Sequence, residues 1–138
     1  MSGTTEHLLQ YADVGIALDT FPYNGTATIC EAMWMGVPVV TLAGTTHAGR
    51  VGVSLLSATG LSRFVAKTED EYCKIALKLV QDRDELAALQ SRLREIMQNS
   101  PLYDAQRLVS DIENACLGMW ERWCAEQGRG HGDRHEMT

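Results

Sequence analysis

The amino-acid sequence predicts an α/β fold built around a parallel sheet. Short, almost continuous apolar stretches alternate with segments of helical periodicity, and strands that alternate with helices form right-handed βαβ units. The composition fits a globular domain, because 45% of the 138 residues are hydrophobic and 22% are charged. The predicted order is helix, strand, helix, strand, helix, strand and then three more helices.

The first helix and strand are predicted over residues 5–12 and 14–20. Leu8 and Leu9 share one face of the short helix, which Asp13 ends. The strand VGIALDT is apolar without alternation, which is typical of a strand buried on both faces.

The second helix, about 28–35, and the second strand, 37–42, follow a polar loop. Gly36 fits the position just after a helix C-terminus, and Pro38 lies immediately beyond it. VPVVTL is apolar and rich in β-branched residues, so it is predicted to be a second buried strand.

A third helix is predicted over about 47–59 and a shorter third strand over 62–68. A fourth helix opens at Thr68 with acidic residues at 69–71, and the last two helices cover about 83–98 and 104–125. Three strands are few for an open α/β sheet, so we expect the C-terminal part of a doubly wound domain. This partial domain is predicted to cover residues 1–127. The almost wholly polar segment 128–138 is predicted to be a disordered tail.

Charge and cysteine content exclude several classes of protein. A net charge of −6 without a basic stripe argues against a nucleic-acid partner. No apolar stretch reaches the roughly 20 residues that a membrane span needs, and no signal peptide is visible, so we expect a cytoplasmic protein. Cys30, Cys73, Cys116 and Cys124 form no CxxC pair. We interpret them as reduced core cysteines, with a disulfide framework or a zinc site as the alternative.

The segment DTFPYNGTAT lies between the first strand and the second helix. Ligands of open parallel sheets bind beyond the carboxyl ends of the strands, and a helix start offers free backbone N–H groups. The Asn24-Gly25 turn lets the backbone approach a ligand, while Thr26 and Thr28 add hydroxyl groups. The loop therefore predicts a diphosphate site, with Glu31 as a ribose ligand. The alternative is a capping box, in which Thr28 and Glu31 satisfy each other's backbone N–H groups.

Four segments of the sequence together form a distinctive pattern, namely LDTFPYNGTATICEAMWMGVPVVTLAG, HAGRVGVSLL, SPLYD and MWERW. Over about residues 7–123 the chain resembles the O-linked N-acetylglucosamine transferase family, in its bacterial SPINDLY-like branch. The resemblance implies an incomplete, Rossmann-like C-terminal half of a GT-B glycosyltransferase. It also implies a nucleotide-sugar donor, UDP-N-acetylglucosamine, and inverting, metal-independent transfer to a Ser or Thr hydroxyl of an acceptor protein.

The resemblance assigns the donor-binding residues one by one. His7 matches the family's histidine that contacts uracil, and Glu31 matches its ribose-binding acid. The turn glycine and the helix-start triplet match Gly25, Thr26, Ala27 and Thr28.

The chain departs from the family pattern at two of these places. Ala27 replaces a hydroxyl residue, so only its backbone N–H can serve a phosphate, and Thr4 stands where relatives often carry a basic residue. His47 and Arg50 fit the pattern as further candidates, with helix-start and packing roles as the alternative.

The resemblance covers only part of such an enzyme. We expect the chain to be inactive by itself, as an excised fragment or a truncated gene product, because the acceptor site and much of the catalytic apparatus belong to the other half. One alternative is a transferase of the same fold that uses glucose or fucose, or an asparagine acceptor. Another is a non-catalytic α/β module that forms a homodimer through an exposed sheet edge or apolar surface.

Overall fold

The computed structural model describes residues 4–132. The chain divides into two compact units, of which the first ends at Tyr103 and the second begins at Asp104. The strands are β1 (Ala17–Leu18), β2 (Val39–Leu42) and β3 (Val65–Ala66). The helices are α1 (Thr4–Leu9), α2 (Ala27–Trp34), α3 (Val51–Ala58), α4 (Glu69–Gln81), α5 (Arg83–Gln98) and α6 (Ala105–Gly132). Four 3₁₀ turns are Gln10–Asp13, Ala48–Arg50, Ser62–Phe64 and Pro101–Tyr103.

The sheet is parallel, with strand order β1-β2-β3. Ala17 is opposite Val39, and Thr41 is opposite Val65. Helices alternate with these strands along the chain, so the predicted α/β class and its parallel sheet are confirmed.

The hydrophobic core of the first unit lies between the sheet and its helices. Twelve buried residues form one cluster. They are Ile29, Ala32, Met33, Val37, Val39, Leu56, Leu61, Phe64, Leu79, Leu89, Leu93 and Met97. Gly36 ends α2 with a φ of 85°, a backbone conformation that glycine adopts without steric cost. The predicted end of the second helix is therefore confirmed, and it directs the chain into β2.

The first strand differs from the prediction in length and in burial. It covers two residues instead of seven, and the Leu18 side chain is 56% exposed. The reason is its position, because β1 lies at the edge of the sheet and pairs only with β2 among the described residues. Homodimerisation through this edge stays a prediction.

The third helix and strand are also shorter than predicted. Residues 48–50 form a 3₁₀ turn before α3 begins at Val51, and residues 62–64 form another turn before β3. Sequence periodicity does not distinguish such turns from the element that follows them.

The second unit contains α6. The Asp104 carboxylate caps it by accepting a hydrogen bond from the backbone N–H of Arg107 at 2.9 Å. The helix ends at Gly132, so the predicted end near residue 125 is wrong. Adding a residue to an existing helix costs little free energy, because the unfavourable step is helix nucleation. This explains why α6 is longer than predicted. The disordered tail over 128–138 stays a prediction. Residues 133–138 of the predicted tail lie outside the described residues.

Candidate functional site

The candidate site lies where β1 and β2 end and the loops to α2 and α3 begin. Carboxyl ends of parallel strands share one edge of a sheet, so these loops are neighbours. The backbone N–H of Asn24, in the first loop, donates to the carbonyl oxygen of Ala48, in the second, at 3.0 Å. The two loops therefore form one connected surface.

Asp19 fixes the first loop to the sheet. Its side chain is buried, and one carboxylate oxygen accepts the backbone N–H of Gly25 at 2.8 Å. The other oxygen accepts the hydroxyl of Thr41 on β2 at 2.6 Å, and the Asp19 carbonyl accepts the Tyr72 hydroxyl of α4 at 2.8 Å. One residue thus connects the loop, the central strand and a helix that lies far along the sequence.

Asn24 joins the first loop to the start of α3. Its side chain is only 1% exposed and donates to the carbonyl oxygen of Thr20 at 3.0 Å. The amide oxygen accepts the backbone N–H of Gly52 at 3.2 Å. The side chain of this candidate ligand residue is therefore committed to the protein's own backbone, and it positions the loop.

Gly25 leaves room for the start of α2. A Cβ at this position would collide with the Thr28 hydroxyl, and its backbone N–H is already bound by Asp19. Gly25 therefore acts through the close approach that it permits.

The first turn of α2 is exposed and lacks a side-chain cap. Thr26 is the N-cap residue, yet its side chain makes no capping hydrogen bond. In contrast, Thr68 caps α4 and Asp82 caps α5 by accepting the backbone N–H three residues on, at 3.2 and 2.9 Å. Thr26, Ala27 and Thr28 are all exposed, so the positive end of this helix faces solvent together with two hydroxyl groups.

Glu31 does not cap α2. Because the helix begins at Ala27, Thr28 already lies inside it, and the capping-box alternative is wrong by register. The Glu31 carboxylate instead lies 3.4 Å from Nε2 of His7, with both side chains partly exposed. The structure thus brings together His7, Glu31 and the helix start, which the sequence assigned to one ligand.

Tyr11 completes this group, and sequence reasoning missed it. Its ring meets the His7 ring edge-on, with centroids 5.7 Å apart and an interplanar angle of 77°. Burial first, and then the nearby Glu31 carboxylate, raises the pKa of the Tyr11 phenol. The four-residue spacing from His7 on a predicted helix was a signal that could have found it.

His47 and Arg50 lie on the second loop. Both are exposed, and the Arg50 guanidinium donates to the Gly44 carbonyl at 3.3 Å. Arg50 therefore braces its own loop, next to the surface formed by the first.

The cysteines differ from the core residues that the sequence predicted. All four are free, but Cys73, Cys116 and Cys124 are exposed. Cys30 is half-buried, and burial, followed by the Glu31 charge, raises the pKa of its thiol. The thiol therefore keeps its proton and is a weak nucleophile at neutral pH.

Two features are absent from residues 4–132. In this part of the chain, no three His, Cys, Asp or Glu side chains are grouped to hold a metal ion. No helix there is both long and apolar enough to cross a membrane.

Comparisons with known proteins agree on one family. The model of "Glycosyl transferase family 41" matches residues 3–112. A barley (Hordeum vulgare) protein named "Probable UDP-N-acetylglucosamine--peptide N-acetylglucosaminyltransferase SPINDLY" is 50% identical over 119 residues, which are 86% of this chain and 13% of that protein. A Caenorhabditis elegans protein named "UDP-N-acetylglucosamine--peptide N-acetylglucosaminyltransferase" is 35% identical over 86% of this chain and 10% of its own length.

A solved structure is similar as well. It is a mutant of a Thermobaculum terrenum O-GlcNAc transferase, with a TM-score of 0.83 and 41% sequence identity. The match covers 91% of this chain and 24% of that one. The chain therefore spans a small part of the length of the relatives it matches.

Proposed function

Because this chain belongs to glycosyl transferase family 41, we propose that it forms the nucleotide-sugar-binding part of a protein O-glycosyltransferase. The observation that carries the proposal is the uncapped, exposed start of α2 beside the paired side chains of His7 and Glu31. UDP-N-acetylglucosamine is the proposed donor, since relatives are named as transferases that use it.

The diphosphate of the donor binds at the start of α2. Backbone N–H groups of the first turn and the positive end of the helix dipole attract the phosphates. The hydroxyls of Thr26 and Thr28 add donors, whereas Ala27 contributes its backbone alone. Local donors suffice for this task in a protein whose net charge is −6.

The nucleoside lies toward Glu31 and His7. A carboxylate offers about four acceptor sites, so Glu31 can accept from ribose hydroxyls while it keeps its contact with His7. His7 is half-exposed, which leaves its ring accessible to the base. Phosphate and nucleoside positions thus follow one another along α2.

The proposed chemistry is inverting transfer to a Ser or Thr hydroxyl without a metal ion. The start of α2 stabilises the negative charge that develops on the departing nucleoside diphosphate. Activation of the acceptor hydroxyl belongs to other parts of the protein, in keeping with the short share of its relatives that this chain spans.

A calorimetric titration of the full-length protein with UDP, UDP-N-acetylglucosamine and GDP-fucose tests this proposal. Binding of UDP and its sugar conjugate in preference to GDP-fucose is the expected result. If the protein preferred GDP-fucose, the proposed donor would be wrong and the proposed binding site would stand. Absence of binding by all three would overturn the proposed function.

A further inference from the structure

Tyr11 lies beside the two candidate nucleoside ligands, His7 and Glu31. It belongs to the 3₁₀ turn Gln10–Asp13, which follows α1 and places its ring edge-on against His7 at 5.7 Å. An edge-to-face pair of this kind restricts both rings, and such pairs favour one relative orientation. The imidazole orientation of His7 therefore depends on Tyr11.

The Tyr11 hydroxyl lies near the Glu31 carboxylate, which is one cause of its raised pKa. Burial and the nearby carboxylate keep the phenol protonated at neutral pH, so the hydroxyl is a donor and the carboxylate is an acceptor. Nε2 of His7 lies 3.4 Å from the same carboxylate. The Glu31 carboxylate therefore has two neighbouring side chains, and acceptor capacity remains for a ligand.

Tyr11 also faces the helix start. A groove of about 240 Å³ is lined by Tyr11 and Thr28, together with apolar side chains such as Leu18 and Ile29. The ring thus belongs to the same concave surface as the hydroxyl at the start of α2.

We propose that Tyr11 is a positioning residue for nucleoside diphosphate binding, which holds the Glu31 carboxylate and the His7 ring in their ligand-binding orientations. This inference rests on the proposed function. It assigns to Tyr11 no contact with the reacting atoms.

A double-mutant cycle on the full-length protein tests this role. Tyr11→Phe removes the hydroxyl and keeps the ring, so the fold is retained. We expect it to weaken UDP binding about tenfold, the effect of one hydrogen bond to a charged group. In a Glu31→Gln background the same change has little further effect. Tyr103→Phe, an exposed tyrosine of the first unit, is the matched control and leaves UDP binding unchanged.

Steady-state kinetics provide a second readout. In Tyr11→Phe the KM for the sugar nucleotide rises while kcat is retained, because the hydroxyl orients a binding group. Equal losses of affinity in both backgrounds, or unchanged affinity and KM in Tyr11→Phe, would overturn the role of Tyr11 alone. Absence of nucleotide binding by the wild-type protein would overturn the proposed function and this inference together.

Discussion

The buried carboxylate of Asp19 accepts the backbone N–H of Gly25 at 2.8 Å. This bond connects the end of β1 to the turn just before α2. Since the other carboxylate oxygen accepts the Thr41 hydroxyl at 2.6 Å, the sheet itself sets the position of the helix start. Asp19 thus determines where the proposed ligand groups lie.

Loss of the Asp19 carboxylate should destabilise the fold. Asp19→Ala leaves a backbone N–H and a buried hydroxyl without their acceptor, and we expect the free energy of unfolding to fall by about 3 kcal/mol. Asp19→Asn keeps an acceptor and costs less. Urea unfolding measures both, with the exposed Asp13→Ala as control. Equal unfolding free energies for Asp19→Ala and Asp13→Ala would contradict this account of the loop.

A methyl group at Gly25 should weaken nucleotide binding. In Gly25→Ala the new Cβ collides with the Thr28 hydroxyl, so this hydroxyl at the start of α2 must move. We expect affinity for UDP to fall about tenfold, since misplaced donors lose most of a hydrogen bond. Gly15→Ala is the matched control, because a Cβ there meets nothing within 4 Å. If Gly25→Ala bound UDP like Gly15→Ala, close packing at this turn would not matter.

Tyr72 should make stability depend on alkaline pH. Burial first, then the charges of Asp19 and Cys73, raises its phenol pKa above the ordinary 10.0. The folded state holds this proton more tightly than the unfolded state does. The contribution of Tyr72 to the free energy of unfolding is therefore complete below pH 10.0 and is lost as the pH rises through the folded pKa. Tyr72→Phe lacks the hydrogen bond to the Asp19 carbonyl and should be about 1 kcal/mol less stable at pH 8.

Unfolding of the wild type and of Tyr72→Phe at several pH values tests whether stability falls, as expected, at alkaline pH. In urea unfolding, the stability difference between wild type and Tyr72→Phe should shrink above pH 10. If the difference in unfolding free energy stayed constant from pH 8 to pH 11, ionisation of the Tyr72 hydroxyl would not affect stability.

Local sequence signals predicted the order of elements and the parallel sheet. Gly36 and Pro38 mark the turn between α2 and β2. Glycine permits the positive φ that Gly36 adopts, and proline restricts its own φ and cannot continue a helix. The exposure of Leu18 was missed because an apolar stretch does not reveal whether its strand lies at an edge. The capping-box alternative was wrong because the sequence locates a helix start only to within a residue or two, and α2 begins before Thr28.

The candidate site was predicted in part. Sequence resemblance placed His7 and Glu31 on one ligand, and the structure places them 3.4 Å apart. The support beneath the site was missed, because the bond between Tyr72 and Asp19 joins residues 53 positions apart. No local pattern encodes such a contact, and the buried position of Asn24 likewise depends on the second loop.

Nucleoside diphosphate binding at the start of α2 is tested most directly by a calorimetric titration with UDP. The full-length wild-type protein should bind UDP, and Thr28→Val and Glu31→Gln should each weaken binding about tenfold. Glu113→Gln, an exposed acid on α6, is the control and should bind like wild type. Wild-type affinity in both Thr28→Val and Glu31→Gln would contradict the claim.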